Sequence, residues 1–403
     1  MNGRSNLYDR LSPVVRSLPP SGIRKFFDLA NQMEDVISLG VGEPDFVTPW
    51  HVREACFYSL EKGFTTYTSN YGLPQLREEI ANYLAETCQI TYDPKDEILV
   101  TVGASEAIDL ALRTILCPGD EVLFPEPAYV SYQPCATLAG GISVGIQTYA
   151  EDDFKLTPAA LERAITPRSK VLLLCFPNNP TGATMSREDL QGIADVAIRH
   201  DLFVISDEIY SELTYDGSHV SIASLPGMLE RTVVVNGMSK AFAMTGWRIG
   251  YAAAPREILS MMVKIHQYTI LCAPIMGQMA ALEALRNGKQ HKDEMVKRYD
   301  QRRRLIVNGF REIGLSCHEP KGAFYAFPSI QNTGLSSEQF AELLLMEAKV
   351  AVVPGNVFGK GGDGFVRCSY ATSLDQITQA LERMQRFLEK VKQGDFVEQL
   401  ASV

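Results

Sequence analysis

The sequence predicts an α/β fold built on a mostly parallel sheet. Between about residues 97 and 253, short runs rich in Val, Ile and Leu alternate with segments of helical periodicity. The apolar runs lack polar alternation, which is typical of strands that helices cover on both faces. Polar residues follow each run, at the sheet edge where open α/β folds bind ligands.

The first of these strands leads into a turn suited to an anion. Glu97–Val102 reads as a strand that ends at Gly103, and the apolar residues after it recur with helical spacing. The segment Gly103–Glu106 is therefore predicted to be a strand-to-helix turn. The free N–H groups and the positive dipole end of such a helix favour a bound anion.

More strands and a capped helix are predicted downstream. Lys170–Phe176 is an uninterrupted apolar run, and the next helix begins with Ser186 and Asp189 in the spacing of a capping box. Leu202–Ile205 and Thr232–Val235 are two further buried-strand patterns. This order of strands and helices favours parallel pairing.

The last third of the chain adds a second group of elements. Asp293–Ile313 is a charged helical pattern, and acidic residues surround Arg302–Arg304, which predicts a solvated helix face. Val350–Val353 reads as a strand, Gly359–Gly364 as a turn, and Leu374–Lys390 as a helix. Neither a repeat nor a low-complexity tract is visible.

Composition excludes several classes of protein. The chain has 403 residues, 38 Lys or Arg against 48 Asp or Glu, and a formal charge of −10. Nucleic-acid binding needs a concentrated basic face, so we expect no nucleic-acid partner for this acidic chain. The length suits two or three domains. Chemistry on small molecules is the expected activity.

Cysteine usage and hydropathy predict a cytoplasmic protein without a membrane partner. The eight cysteines are scattered singly, with no Cys-x-x-Cys pair, so reduced thiols are expected. Residues 1–21 lack the apolar run of a signal peptide. The longest uncharged stretch, Pro127–Ala150, contains Pro134 and the Gly140-Gly141 pair, which makes it a poor membrane span.

Three strand ends carry an ordered set of polar residues. Taken singly, Asn178–Gly182, Ser206–Tyr210 and Asn236–Lys240 are explained by turn and capping chemistry. Together with Gly246–Gly250, they resemble the class I/II aminotransferases, which are pyridoxal 5′-phosphate (PLP) enzymes of fold type I in the aspartate aminotransferase superfamily. Further matches run from about Ser21 to Leu388 and comprise Gly42–Asp45, Tyr67, Gly72, Leu76, Arg77, Gly322–Tyr325, Pro354–Gly355, Phe358–Gly359 and Arg367.

The resemblance implies two domains, one of them discontinuous. Residues 49–290 are expected to form a large PLP-binding domain, whose mostly parallel sheet is flanked by helices. An N-terminal segment, residues 1–48, is expected to join residues 291–403 in a smaller α+β domain. That arrangement brings Gly42 and Arg367 together.

Catalytic roles follow from the same resemblance. Lys240 is expected to form the Schiff base with PLP and then to carry a proton between the substrate and the cofactor, a role that requires an amine. Asp207 is expected to face the pyridine nitrogen and keep it protonated. Asn179 and Tyr210 match positions that bond the ring hydroxyl. Tyr129 and Ile209 match residues that cover the two ring faces.

The phosphate is expected at the predicted anion turn. Gly103 and Ala104 contribute backbone N–H groups, Ser105 and Ser239 can add hydroxyl donors, and Arg248 can make a charge-assisted contact. In the family, a tyrosine at the Tyr67 position reaches the phosphate of the neighbouring subunit, which implies a homodimer. One departure is Gly237, where many relatives carry serine. No metal is implied.

Arg367 is the expected ligand of the substrate α-carboxylate. A planar guanidinium fits a carboxylate with two parallel hydrogen bonds. The Gly42 N–H and the Asn179 side chain resemble supporting contacts.

The resemblance favours transfer of an α-amino group to a 2-oxo acid, with 2-oxoglutarate expected as acceptor in a ping-pong cycle. Residues Ser21–Lys25 and Met244–Arg248 look most like a prokaryotic subgroup of aromatic, aspartate and diaminopimelate-type aminotransferases. Some relatives that accept acidic substrates carry lysine at the place of Ser105, so an aromatic or broad donor specificity is favoured.

Other reactions stay open at this stage. A C–S β-lyase, another fold type I reaction or aspartate- or diaminopimelate-specific transamination would share the cofactor residues. The substrate loops that separate them, Ile23–Asn31 and Trp50–Tyr71, are not decoded by the sequence. A cofactor-free binding protein would leave Lys240 without a role. A nicotinamide dehydrogenase is excluded because no Gly-x-Gly-x-x-Gly turn follows a strand.

Overall fold

A central seven-stranded sheet organises the computed structural model, which describes residues 7–20, 22 and 33–396. Its strands lie in the order β2-β8-β7-β6-β5-β3-β4, and β8 runs antiparallel to its two neighbours while the other pairs are parallel. The strands of the chain are β1 Ile37–Ser38, β2 Ile98–Thr101, β3 Glu121–Glu126, β4 Ile142–Gln147, β5 Ser169–Cys175, β6 Phe203–Asp207, β7 Thr232–Gly237, β8 Gly250–Ala253, β9 Tyr325–Ala326, β10 Val350–Ala351, β11 Val353–Pro354 and β12 Val366–Ser369.

Helices cover both faces of this sheet, which confirms the α/β prediction. Alternate residues of β5 show why its pattern is apolar throughout, since Val171 and Leu173 belong to one buried cluster while Leu172 and Leu174 belong to another. The helices are α1 Pro13–Ser17, α2 Trp50–Glu61, α3 Pro74–Cys88, α4 Gly103–Ile115, α5 Tyr132–Leu138, α6 Pro158–Ala164, α7 Arg187–Arg199, α8 Met238–Ala241, α9 Arg256–Thr269, α10 Ile275–Asn287, α11 Lys289–Glu312, α12 Ser337–Ala348 and α13 Leu374–Gln393.

The predicted capping box and the predicted strand-to-helix turn are both present in the structure. Ser186 caps α7 by accepting from the Asp189 N–H at 3.1 Å, and the Asp189 carboxylate accepts from the Ser186 N–H at 2.8 Å. This is a complete capping box. The strand β2 ends two residues before Gly103 begins α4, so the predicted strand-to-helix turn is present.

One predicted strand is divided in two. Val350–Ala351 pairs in parallel with Ile37–Ser38, whereas Val353–Pro354 pairs antiparallel with β12 in a separate three-stranded sheet, β11-β12-β9. The prediction of one strand over Val350–Val353 was therefore wrong, because the chain changes partner at Val352. The pairing of β1 with β10 connects the N-terminal part of the chain to its last third. The predicted domain boundaries stay a prediction.

The helix α11 differs from the expected solvated face. Arg302 is buried and makes a bidentate ion pair with Asp45 at 2.8 and 2.9 Å. Arg303 is also buried and bonds Asp300 and Glu319. Since each guanidinium has a carboxylate partner outside the helix, the solvated-face prediction was wrong for both. Their neighbour Arg304 is exposed.

All eight cysteines are free thiols. Within residues 7–20 and 33–396, no helix is long and apolar enough to cross a membrane. The stretch Pro127–Ala150 instead contains α5 and β4, separated by a turn at Gly140-Gly141.

Candidate active site

A cavity of about 340 Å³ lies at the carboxyl ends of the parallel strands. Its volume is within the range of ~300–1,000 Å³ that is usual for small-molecule sites. Residues from the ends of β5, β6 and β7 line it together with residues from the turns after β2 and β3 and from the N- and C-terminal parts of the chain. The lining comprises Gly42, Glu43, Ala104, Ser105, Ile108, Tyr129, Tyr132, Cys175, Asn179, Asp207, Ile209, Tyr210, Ser239, Lys240, Thr245, Arg248, Tyr325 and Arg367.

Lys240 projects into this cavity from the short helix α8, which follows β7 directly. Its Nζ donates to the Gly42 carbonyl at 2.7 Å. Burial lowers the pKa of the Lys240 amine to about 8, while the nearby Glu43 carboxylate opposes the shift. A larger fraction of this amine is therefore unprotonated near neutral pH than for an exposed lysine, as a nucleophilic amine requires.

Asp207, the last residue of β6, is buried beneath the cavity. The Tyr132 hydroxyl donates to its Oδ2 at 2.7 Å, and the Ile209 N–H donates to its Oδ1 at 3.3 Å. Burial raises the pKa of the Asp207 carboxyl to about 6, and the bond from Tyr132 opposes this rise. A buried carboxylate that is held in a fixed orientation by these two donors suits a protonated ring nitrogen as its cationic partner.

Two tyrosines form a buried pair beside Lys240. The hydroxyls of Tyr210 and Tyr325 lie 2.9 Å apart, and the Lys240 Nζ lies 5.8 Å from the centre of the Tyr210 ring. Burial raises the pKa of Tyr210 well above its usual value, so its phenol stays protonated and can donate a hydrogen bond. The Tyr325 hydroxyl also donates to the Gly42 carbonyl at 3.4 Å.

Arg367 closes the opposite side of the cavity from strand β12. Its Nη1 donates to Asn179 Oδ1 at 3.0 Å, and its Nη2 donates to the Gly40 carbonyl at 2.7 Å. The guanidinium lies over the rings of Tyr325 and Phe358, 4.5 and 5.0 Å from their centres. Its Nε is buried and has no hydrogen-bond partner among the described residues.

Two glycines allow close packing around the turn at the start of α4. A Cβ on Gly250 would lie 2.5 Å from the Ala104 nitrogen, and a Cβ on Gly103 would lie 2.5 Å from Arg248 Nη2. Gly103 also has φ +77°, which disfavours any other residue. The glycines therefore let the turn, strand β8 and a guanidinium approach one another closely, which leaves the N–H groups of the helix end available to an anion.

Arg248 faces this turn in a conformation that few arginines adopt. Its backbone has φ 55° and ψ 51°, the left-handed region, and its Nη1 donates to the Thr245 carbonyl at 3.0 Å. Strained backbone of this kind persists where the surroundings require it and is common at functional sites. Ser105 and Ser239 line the cavity on the same side.

The residues present fit PLP in four respects. An amine for the aldehyde, a buried carboxylate for the ring nitrogen, an aromatic and an aliphatic side chain for the ring faces, and a glycine-cradled helix end for the phosphate all meet in one cavity. Of the predicted site residues, two do not line the cavity. Gly103 lies against the Arg248 guanidinium, and Tyr67 is 81% exposed on the protein surface.

Several lining residues carried weak signals in the sequence or none. Tyr132 begins α5, three residues after Tyr129, and the two rings lie 5.6 Å apart, but no sequence pattern marked it as a site residue. Cys175 is the last residue of β5, where ligands to α/β sheets are expected. Glu43 and Thr245 lie within the segments Gly42–Asp45 and Met244–Arg248 that matched the family, but neither was predicted as a site residue, and Ile108 carried no signal for the site. The predicted substrate loop Ile23–Asn31 lies outside the described residues.

The chain is similar to known proteins over most of its length. The profile of the family Aminotransferase class I and II matches residues 34–384. The Bacillus subtilis protein YugH, a putative aminotransferase by name, is 59% identical over 380 residues, covering 94% of this chain and 98% of its own. An aspartate aminotransferase of Pyrococcus abyssi is 51% identical over 93% of this chain and 97% of its own. The crystal structure of an aromatic aminotransferase from Pyrococcus horikoshii is 48% identical, covers 92% of this chain and 99% of its own, and superposes with a TM-score of 0.88.

A profile match over most of the chain, and relatives of such identity over nearly their full length, establish the family. Its members use PLP and share fold type I. The chain therefore belongs to the class I and II aminotransferases and is a PLP-dependent aminotransferase.

Proposed function

We propose that this aminotransferase moves the α-amino group of an aromatic L-amino acid, or of a broad set of amino acids, to 2-oxoglutarate by a ping-pong cycle. The observation that carries the proposal is that the Lys240 amine lines one cavity together with a buried carboxylate, Asp207, and a buried guanidinium, Arg367. When bound, PLP supplies the electron sink for cleavage at the substrate α-carbon.

In this proposal, different side chains of the cavity act on the cofactor ring, the α-carbon proton and the substrate carboxylate. Asp207 holds the proton on the pyridine nitrogen. With PLP bound, Lys240 would be the base that accepts, holds and passes on the α-carbon proton at its Nζ. The Tyr210 phenol donates to the ring hydroxyl, and Arg367 with Asn179 orients the substrate α-carboxylate.

The ring and the phosphate have their own contacts. Tyr129 and Ile209 cover the two faces of the pyridine ring. The N–H groups of Ala104 and Ser105, the Ser239 hydroxyl and the Arg248 guanidinium bind the phosphate, which is a strong acceptor of charge-assisted hydrogen bonds.

The donor specificity is proposed from the cations of the cavity. Among the described residues that line it, the Lys and Arg side chains are Lys240, Arg248 and Arg367, and each already has a task at the cofactor or the α-carboxylate. The anion turn carries Ser105, where a lysine would have served a second carboxylate. Relatives of similar identity are named for aspartate and for aromatic amino acids, so identity alone does not decide between them.

We also propose that the working unit is a homodimer. Tyr67 is exposed, as are large apolar side chains in the segment that precedes it and around the end of α9, and exposed apolar residues of this kind mark an interface. The loop of Tyr67 is held by Asn70, whose Nδ2 donates to the Leu271 carbonyl at 2.8 Å. The exposed apolar residues are Val47, Trp50, Phe57, Tyr58, Leu60, Phe64, Tyr268, Ile270 and Leu271.

Substitution of Lys240 tests the central assignment. The purified protein should be yellow, and borohydride should fix PLP to a peptide that contains residue 240. Lys240→Ala should abolish both the fixation and transamination, whereas Lys264→Ala, an exposed lysine on α9, should leave both unchanged. Transamination at the wild-type rate by Lys240→Ala would overturn the proposal.

A panel of donors and acceptors tests the specificity. Phenylalanine, tyrosine, aspartate and N-acetyl-diaminopimelate are compared as donors at a fixed concentration of 2-oxoglutarate, and then a series of 2-oxo acids is compared with the best donor. Higher kcat/KM for the aromatic donors supports the proposal. Release of ammonia and pyruvate from a β-substituted donor without an acceptor would favour a lyase instead.

A further inference from the structure

A carboxylate outside the cavity lining bonds the backbone of the phosphate turn. Glu106 lies in the first turn of α4, directly after Ser105, and its side chain is 11% exposed. Its Oε2 accepts from the N–H of Val102, the residue that precedes the helix, at 2.5 Å. Val102 itself makes no side-chain cap, and the Glu106 carboxylate bonds back across the turn to the N–H of this N-cap residue.

A histidine from another helix completes this arrangement. His266 on α9 is fully buried, and its Nδ1 lies 2.6 Å from Glu106 Oε1. Helices α4 and α9 pack against each other. The His266 Nε2 is buried and has no hydrogen-bond partner among the described residues. A proton on Nδ1 lets the ring donate to Glu106 Oε1.

His266 also anchors the loop that carries Tyr67. Its carbonyl accepts from the N–H groups of Ile270 and Leu271, both at 2.9 Å, at the end of α9. Leu271 has φ 74°, and its own carbonyl accepts from Asn70. His266 is thus linked to the phosphate turn through Glu106, and to the Tyr67 loop through Leu271 and Asn70.

We propose that Glu106 and His266 are a positioning pair that sets the phosphate turn for PLP, an inference that rests on the proposed location of the phosphate at Ala104, Ser105 and Arg248. Neither residue contacts the cofactor. The pair acts through the backbone at Val102–Ser105, and it fixes the direction of the N–H groups at the start of α4.

The negative charge of Glu106 is compatible with an anion site. Its carboxylate is absent from the cavity lining and points toward Val102 and His266, whereas Ala104 and Ser105 do line the cavity. A carboxylate in the first turn of a helix also interacts favourably with the helix dipole. The charge therefore acts on the turn and is not presented to the phosphate.

Comparison of PLP with pyridoxal, which lacks the phosphate, tests the proposal on the full-length protein. Dissociation constants for both are measured for the wild type, His266→Leu, His266→Asn and Glu106→Gln. We expect His266→Leu to weaken PLP binding about ten- to hundredfold, because a buried hydrogen bond to a charged group is lost, and to leave pyridoxal binding unchanged. His266→Asn keeps a donor near the Nδ1 position and should restore most of the PLP affinity.

His318→Leu is the matched control. The His318 side chain is 8% exposed, pairs with Asp153 through Nδ1 at 3.2 Å, and has an Nε2 without a partner among the described residues, but it lies outside the cavity lining. It should change neither dissociation constant. If His266→Leu fails to fold, Glu106→Gln must show the phosphate-selective loss.

Equal weakening of PLP and pyridoxal by these variants, or no weakening, would overturn the positioning role. The proposed function has a separate outcome, because wild-type protein that binds pyridoxal as tightly as PLP would contradict the phosphate site itself.

Discussion

Arg367 and Arg248 both line one cavity and are held in different ways. Arg367 is 2% exposed, and its side chain is fixed by Asn179, the Gly40 carbonyl and two aromatic rings. Arg248 is exposed and is fixed through its backbone, with φ 55° and one bond to the Thr245 carbonyl. The carboxylate end is thus organised by side-chain packing, and the phosphate end by backbone geometry.

This difference predicts separable defects. Changes at the carboxylate end should reduce the use of substrate while PLP stays bound, because the hydrogen bonds of Arg367 go to Asn179 and Gly40 and not to the phosphate turn. Changes at the phosphate end should weaken PLP itself. A variant that affects both equally would show that the two ends are coupled more tightly than their separate supports indicate.

Loss of Arg367 should have the largest effect on substrate use. Arg367→Leu removes two hydrogen bonds to the α-carboxylate, each worth about 1.5–3 kcal/mol, so kcat/KM should fall about 10²–10⁴-fold. The dissociation constant for PLP should change less than about threefold on the same reasoning. Steady-state kinetics with the best donor, and PLP titration of the same preparation, measure both quantities.

Arg304→Leu is the control for this prediction, because Arg304 is exposed on α11 and makes a surface pair with Asp300. It should leave both quantities at their wild-type values. A PLP affinity that falls in parallel with kcat/KM in Arg367→Leu would contradict the separation of the two ends.

Gly103→Ala should produce the opposite defect. The new Cβ would meet Arg248 Nη2 at 2.5 Å on a backbone of φ +77°, so the guanidinium must move away from the phosphate turn. We expect PLP binding to weaken about tenfold and the free energy of unfolding to fall by about 1–2 kcal/mol. KM for the amino donor, measured at saturating PLP, should stay close to the wild-type value.

Gly119→Ala separates the effect of the backbone conformation from the effect of the contact with Arg248. Gly119 has φ +93°, but apart from its own chain neighbours no described heavy atom lies within 4 Å of the place that a Cβ would take, so only the backbone penalty applies there. It should lose stability to a similar extent and keep its PLP affinity. Equal loss of PLP affinity in both variants would show that the close approach of Arg248 is not the cause.

The sequence predicted the parts of this site that lie at the ends of local patterns. Lys240 and Asp207 each follow a buried strand, and the turn at Gly103 is visible because a strand pattern meets a helix pattern there. Their roles came from the family resemblance, since spacing alone does not distinguish a cap from a catalytic group. The elements and the cavity-lining residues were therefore largely predictable.

What the sequence could not predict is long-range pairing. Tyr132 bonds Asp207 across 75 positions, and Arg302 bonds Asp45 across 257, and no local pattern links these pairs. The same limit explains the wrong prediction for α11. The local charge pattern indicates a solvated face, but carboxylates outside the helix pair with Arg302 and Arg303. The limit also explains why one apolar run, Val350–Val353, divides between two sheets, because strand partners are set by tertiary packing.

Tyr132→Phe should change the pH dependence of cofactor binding. In the PLP-free protein, burial raises the pKa of Asp207 from its ordinary value of 3.8 to about 6, and the Tyr132 hydroxyl opposes the rise. Ring-nitrogen pairing needs the ionised carboxylate, so PLP affinity should be full above this pKa and fall as the pH drops through it. Without the hydroxyl the pKa rises further, so the fall should begin at a higher pH. Titration of PLP from about pH 5 to about pH 8, on both sides of this pKa, measures the shift.

The stability of the PLP-free protein provides an independent check. A carboxyl whose pKa is raised by folding contributes stability below its ordinary pKa of 3.8, and this contribution is lost as the pH rises through about 6. Asp207→Asn should remove that loss from the pH profile of unfolding. An unchanged PLP–pH profile in Tyr132→Phe would contradict the assignment of Tyr132 as the group that holds Asp207 ionised.

Tyr67→Phe should have the smallest effect on PLP affinity. This variant tests whether a second copy of the chain contributes to the phosphate site. Tyr67 is 81% exposed and does not line the cavity of its own chain, so we expect its hydroxyl to serve a phosphate in a neighbouring subunit. A hydrogen bond to a charged group at an interface reached by water should be worth about 1 kcal/mol, so PLP affinity should fall about fivefold. The loss should be seen at protein concentrations where the dimer forms and should vanish on dilution to monomers, because only the dimer brings the hydroxyl to the phosphate. Analytical ultracentrifugation paired with PLP titration follows both quantities, and a loss of about fivefold that persists in the monomer would place the effect of Tyr67 within its own chain.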